Sequence, residues 1–245
     1  MNKKALIVVT SNDQLGNTND KTGWFLSEVT HVYWPLFNDG FQVDFASPRG
    51  GLAPVEAKSM KLEDPENKSF VEKFNVKEGL RTLTLGSLHP SEYGVIYFAG
   101  GHGTMWDFPG DPEIQRLVSS IYEDGGIVAA VCHGPSALTE VRLSDGKFLV
   151  DGKTVNSFTD AEEKEAGKDK IVPFLLESRL REHGGKFLAG NNWANQVVTD
   201  GRLITGQNPQ SASTLGQTIV QVFSRLESSG EETNKQDDFS SDLQL

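Results

Sequence analysis

The chain carries one cysteine in 245 residues, Cys132, in the segment Gly126-Ile-Val-Ala-Ala-Val-Cys-His-Gly-Pro135. A thiol attacks carbon as its thiolate, and at an ordinary pKa of about 8.5 only roughly 3% is ionised at pH 7; a pKa of about 6 would ionise roughly 90%. A helix opened by Gly134-Pro135 directly behind Cys132 would supply such a shift, because its unpaired N–H groups and dipole favour negative charge there. Residues 130–134 have the small-x-nucleophile-x-small pattern of a strand-to-helix elbow, with Ala130 where glycine usually stands. In such an elbow the N–H after the nucleophile serves an oxyanion hole. His133 would face the opposite side of a continuing strand, so it shares a pocket with Cys132 only if the chain turns sharply. The plain alternative is a buried cysteine ending a hydrophobic strand.

A second candidate is Phe98-Ala-Gly-Gly-His-Gly-Thr104. Gly100 and Gly101 let the backbone approach a ligand and point N–H groups at developing negative charge, although tight turns demand glycine too. The motif is neither a phosphate-binding loop nor a dinucleotide fingerprint. His102, Trp106 and Trp24 are candidates for the walls of a small pocket, and the tryptophans serve equally as core. His31 and His89 lack partners at metal-ligand spacing, and His183 precedes Gly184-Gly185, where an imidazole interacts with helix C-terminal carbonyls. These patterns indicate no cofactor and no metal.

The positioning elements follow from the apolar pattern. Runs at Ala5 to Thr10, Gln42 to Ala46, Gly94 to Ala99 and Gly126 to Val131 are continuous, as in parallel strands covered on both faces. Helical spacing appears over Thr22 to Asn38, which Pro35 should kink or end, and over Pro112 to Asp124, Pro135 to Leu143, Val172 to His183 and Pro209 to Leu226. Asp200-Gly201 joins two short apolar runs as a hairpin. Alternating strands and helices predict an α/β, doubly wound, mostly parallel sheet with helices on both faces, and with functional loops beyond the strand carboxyl ends. Cys132 falls at such an end. Residues 1–227 form a single catalytic domain in this reading, with 50–84 a polar surface insertion containing short helices. The acidic, serine-rich tail 228–245 has too few apolar residues to order itself.

Thirty-four acidic against twenty-three basic residues give a net charge of -11, which repels nucleic acid and anionic membrane surfaces. No apolar run is long enough to cross a bilayer, and the N-terminal one is too short for a signal peptide. One thiol forms no internal disulfide, which fits a reducing cytoplasm.

Taken together, the 99–104 and 130–135 motifs and Lys21-Thr-Gly23 followed by Glu28 resemble the PfpI-like branch of the class I glutamine amidotransferase-like superfamily, whose fold is flavodoxin-like. The cofactor-free glyoxalase III group is most similar. The resemblance spans roughly residues 4 to 225 and includes Gly152-Lys153, Ser157-Phe-Thr-Asp160 and Thr199 to Pro209. It implies a lyase, a D-lactate dehydratase in methylglyoxal detoxification and stress response, working as a homodimer. It also implies Cys132 as nucleophile, Glu28 as general base, His133 as the adjacent imidazole and Glu163 as the acid that orients it. Asp160 and Glu162 stay open as substitutes for Glu163. The His-x-Glu of related glutaminase domains is missing. Rival readings are a cysteine peptidase or amidase, a stress chaperone and a redox sensor oxidised at Cys132.

Overall fold

In the computed structural model, which describes residues 2–241 and side chains as far as residue 229, the chain opens on strand β1 (Lys4–Val8). It continues through α1 (Leu26–Asn38), β2 (Gln42–Ser47), β3 (Gly51–Ala53), α2 (Pro65–Phe74), β4 (Leu80–Thr84), β5 (Val95–Phe98), α3 (Thr104–Asp107) and α4 (Pro112–Glu123). The second half holds β6 (Ile127–Val131), β7 (Thr154–Val155), α5 (Asp160–Glu165), α6 (Leu176–Glu182), β8 (Lys186–Phe187), β9 (Val197–Asp200), β10 (Leu203–Gly206) and α7 (Ala212–Ser241). The main sheet has the order β3-β4-β2-β1-β5-β6-β10-β9. Its pairs are parallel except at the two edges, β3 with β4 and β9 with β10. The chain therefore has the mostly parallel α/β fold that its apolar pattern predicts, of the flavodoxin-like kind that the resemblance implies.

Alternate strand residues feed two cores. Ala5, Ile7, Tyr97, Ala129 and Val131 pack with α1, α2 and α7, whereas Leu6, Val8, Phe98, Val128 and Ala130 pack with α4 and α6. Burial on both faces is why these strands read as unbroken apolar runs. No described helix is long and apolar enough to cross a membrane.

Four features depart from the sequence reading. First, Pro35 does not end α1. Proline withholds the N–H that His31 O would accept one turn earlier, and that carbonyl faces Gly216 of α7. A Cβ on Gly216 would lie 2.8 Å from His31 O and 3.2 Å from Pro35 Cγ, so the helices meet at a residue with no side chain.

Second, residues 50–84 are more than a surface insertion. They supply the edge strands β3 and β4, and they brace α1. Ser59 Oγ accepts from Leu26 N–H at 2.9 Å at the start of α1, and Thr30 Oγ1 donates to Asn67 Oδ1 of α2 at 2.6 Å.

Third, the expected helix over 135–143 is a five-residue 3-10 turn, Gly134–Leu138. Every residue of that turn is buried, and Leu138 and, beyond the turn, Val141 pack into the same core as α4 instead of extending a helix. Fourth, α7 continues to Ser241, through most of the segment expected to lack order. The stretch contains no proline to end the helix that Leu215, Ile219 and Phe223 anchor in the core; residues 242–245 lie outside the described part.

Candidate active site

The end of β6 explains how Cys132 and His133 share one pocket. Cys132 sits at φ 59°, a left-handed conformation that costs a side-chain-bearing residue roughly 1–3 kcal/mol. Its neighbours hold it there: Cys132 N–H donates to Gly206 O at 2.9 Å, and Cys132 O accepts from Phe158 N–H at 2.8 Å. A Cβ on Gly134 would lie 2.2 Å from Phe98 O, so only glycine lets the chain leave the strand this close to β5. The sharp turn brings His133 Nδ1 to 3.3 Å from Cys132 Sγ.

The far side of His133 meets α5. Its Nε2 lies 2.6 Å from Glu163 Oε2, and the other carboxylate oxygen, Oε1, is 2.9 Å from His102 Nε2. Of the three acids near the start of α5, Glu163 thus takes the imidazoles. Glu162 closes the capping box with Thr159 and accepts from Trp193, Gln207 and Asn208, and Asp160 accepts from Ser178. Burial would raise the Glu163 carboxyl, but His133 and His102 outweigh it and hold the group well below the usual carboxylate range. His102, displaced by burial and by the neighbouring His133, falls to about 4, so its ring is neutral.

Glu28 approaches from α1. Its side chain is fully buried, with Oε2 accepting from Gly100 N–H at 2.6 Å, while Oε1 finds no hydrogen-bond partner. Tyr97 Oη anchors this turn of α1 by donating to Glu28 O at 2.7 Å. Burial pushes the carboxyl up to about 8, against the Gly100 N–H and Cys132, which favour the charged form. Burial pushes the Cys132 thiol up as well, and Glu28 adds to that. The helix dipole expected to acidify Cys132 is absent, because a short 3-10 turn replaces the helix. Desolvation decides instead, and it keeps a proton in the Cys132–Glu28 pair.

These groups meet at the floor of a cavity of about 530 Å³, lined there by Gly101, His102, Cys132, His133, Phe25 and Phe158. Gly101 adopts φ 105° and lies so close to Gly23 that a Cβ would be 2.1 Å from Gly23 O. Among the described residues, no backbone acceptor takes the Gly101 N–H, and the His133 N–H is directed at the Cys132 sulfur. Gly100 does not face the cavity, and its N–H is committed to Glu28. Trp106 is not a cavity wall either: it packs against the core under α3 and alongside Gly16. Trp24 is fully buried, donating its Nε1–H to Ala53 O.

The aromatic walls are Phe25, Phe158 and Trp193, none of which the sequence singled out for that role. Phe158 lies 4.5 Å from the His133 ring and 5.4 Å from Trp193, centroid to centroid. Phe158 sits within the 157–160 motif, but only the bond from its N–H to Cys132 O shows why its ring faces the imidazole. One further property of the cluster is its donor set. Ligand atoms of His102, His133 and Glu163 lie within 4.8 Å of one another, a grouping that could hold a metal ion.

A family model described as DJ-1/PfpI family matches residues 26–222. Over 224 residues the chain is 36% identical to a glutathione-independent glyoxalase, HSP31, of Saccharomyces cerevisiae, covering 86% of this chain and 93% of the relative. Over 233 residues it is 31% identical to glyoxalase 3 of Candida albicans, covering 90% and 98%. Among solved structures it is similar to the rapid encystment protein of Francisella tularensis, with a TM-score of 0.85, 39% identity and coverage of 91% and 99%. It is also similar to glyoxalase III of Candida albicans, with a TM-score of 0.82, 28% identity and coverage of 89% and 96%.

Proposed function

The chain belongs to the DJ-1/PfpI family, and from that premise we propose that it is a glutathione-independent glyoxalase of the glyoxalase III type, turning methylglyoxal into lactate. The relatives' names supply the activity class. The observation in this chain that carries the reading is the buried Glu28 carboxyl beside Cys132, which itself lines a cavity walled by aromatic rings.

Cys132 Sγ adds to the aldehyde carbon, and its proton passes to His133 Nδ1, 3.3 Å away. The imidazolium so formed is balanced by Glu163. The new oxyanion lies within reach of the Gly101 and His133 N–H groups, and it takes the proton back from His133 to complete a hemithioacetal. Glu28, as carboxylate, removes the hydrogen from the former aldehyde carbon, while His133 carries the proton of the hydroxyl on that carbon to the neighbouring carbonyl oxygen, giving an enediolate. Glu28 then returns its proton to the neighbouring carbon, leaving a thioester of lactate on Cys132. Water hydrolyses the thioester and restores the thiol. The internal redox change is thus carried by proton transfers alone, and a base with a pKa near the working pH suits them.

The test is lactate formation from methylglyoxal without added cofactor. Wild type should turn over, and Cys132→Ala and Glu28→Gln should each lose activity by at least about 10³-fold; both variants at full rate would end the proposal. Sedimentation should give a homodimer, twice the 26.8 kDa chain mass.

A further inference from the structure

Thiol chemistry at Cys132 uses one imidazole on Glu163, yet two converge there, one on each carboxylate oxygen. The second, His102, has no part in the steps above. Its ring is tilted 42° to that of His133 at 4.0 Å between centroids, and both Nε2 atoms point at the same carboxylate. Two imidazole nitrogens and one carboxylate are a donor set suited to zinc and similar divalent ions.

We propose that His102, His133 and Glu163 form a binding site for one borderline divalent cation, zinc being the model, and that its occupation shuts down the thiol chemistry. An ion roughly 2.0–2.2 Å from each donor sets tetrahedral donors about 3.4 Å apart. The nitrogen–oxygen contacts of 2.6 and 2.9 Å would open by about 0.5–0.8 Å, within a cluster whose donor atoms all lie within 4.8 Å of one another. The cation reaches the donors through the cavity, since His102 lines it and keeps 16% of its side chain exposed. Lys168, whose charge opposes a proton on His102, opposes a cation there too and limits the affinity.

Inhibition follows from the tautomer. With an ion on His133 Nε2, the ring hydrogen must sit on Nδ1, the atom facing Cys132 Sγ. The lone pair that accepts the thiol proton is then lost. This inhibitory half rests on the glyoxalase reading, whereas binding does not.

Binding is therefore measured directly, by equilibrium dialysis of zinc and by the visible spectrum of the cobalt-substituted full-length chain. One ion per chain is expected. His102→Asn and Glu163→Gln should each weaken it at least about tenfold, and Cys132→Ala by less than about threefold. Circular dichroism checks the fold, and if Glu163→Gln fails it, His102→Asn, at the cavity surface, decides alone. Undiminished affinity in His102→Asn overturns the site, as does a thiolate-to-cobalt charge-transfer band that disappears in Cys132→Ala. Zinc should abolish lactate formation and a chelator restore it; bound zinc with full turnover would overturn the inhibition while leaving the site. An apoprotein that makes no lactate at all would count against the glyoxalase reading and leave the binding result untouched.

Discussion

Glu28 sets the pH behaviour. Its folded value of about 8 lies above the ordinary 4.5, so the folded chain keeps a proton that the unfolded chain releases between those values. Folding stability contributed by this group is complete below about pH 4.5, falls by about 3 kcal/mol by pH 7, and levels off above pH 8. Chemical denaturation of Glu28→Gln should show that much extra stability at pH 7 and a flatter profile across the window, alongside the loss of turnover. Because the carboxylate is the active form, kcat/KM should rise with pH and reach a plateau above about 8. Glu163 acts through His133, so Glu163→Gln should lower kcat by about 10²–10⁴ with little change in KM, read in steady-state kinetics.

At the scale of elements, the site depends on two close approaches. A Cβ on Gly134 meets Phe98 O, and one on Gly216 meets His31 O and the Cα of Val32. Gly134→Ala should destabilise the chain by about 1–3 kcal/mol and disturb the elbow itself. Gly216→Ala, remote from the cavity, should cost a similar amount and also slow turnover, because it displaces the helix that carries Glu28. Denaturant titration and lactate assays on the same samples check both; unchanged turnover in a destabilised Gly216→Ala would show that α1 can shift without moving the carboxyl.

Across the whole molecule the charge of -11 would repel anionic substrates at long range. The cavity mouth differs from the rest of the surface. Lys21, Lys58 and Lys61 share it with Asp20, Glu63 and Asp64, so the local balance is near neutral. A neutral dicarbonyl should thus react with a kcat/KM that is flat in ionic strength from low to physiological salt. A steep salt dependence with methylglyoxal would show that the substrate travels as a charged species.

The sequence by itself determined the parallel sheet, because strands buried on both faces must be apolar throughout, and it placed Cys132 at a strand's carboxyl end. Local patterning also exposed Gly100 and Gly101. Glu28 and Glu163 could be found only by resemblance, since a glutamate on a helix carries no local mark of burial. Tertiary packing decided the rest. It sorted Glu163 from Asp160 and Glu162 by which side chain reaches His133, assigned the Gly100 N–H to Glu28, and packed Trp106 against the core instead of the cavity. It also replaced the helix behind Cys132 with a 3-10 turn, so that burial, which depends on all the surrounding elements at once, governs the thiol where a neighbouring dipole was expected to.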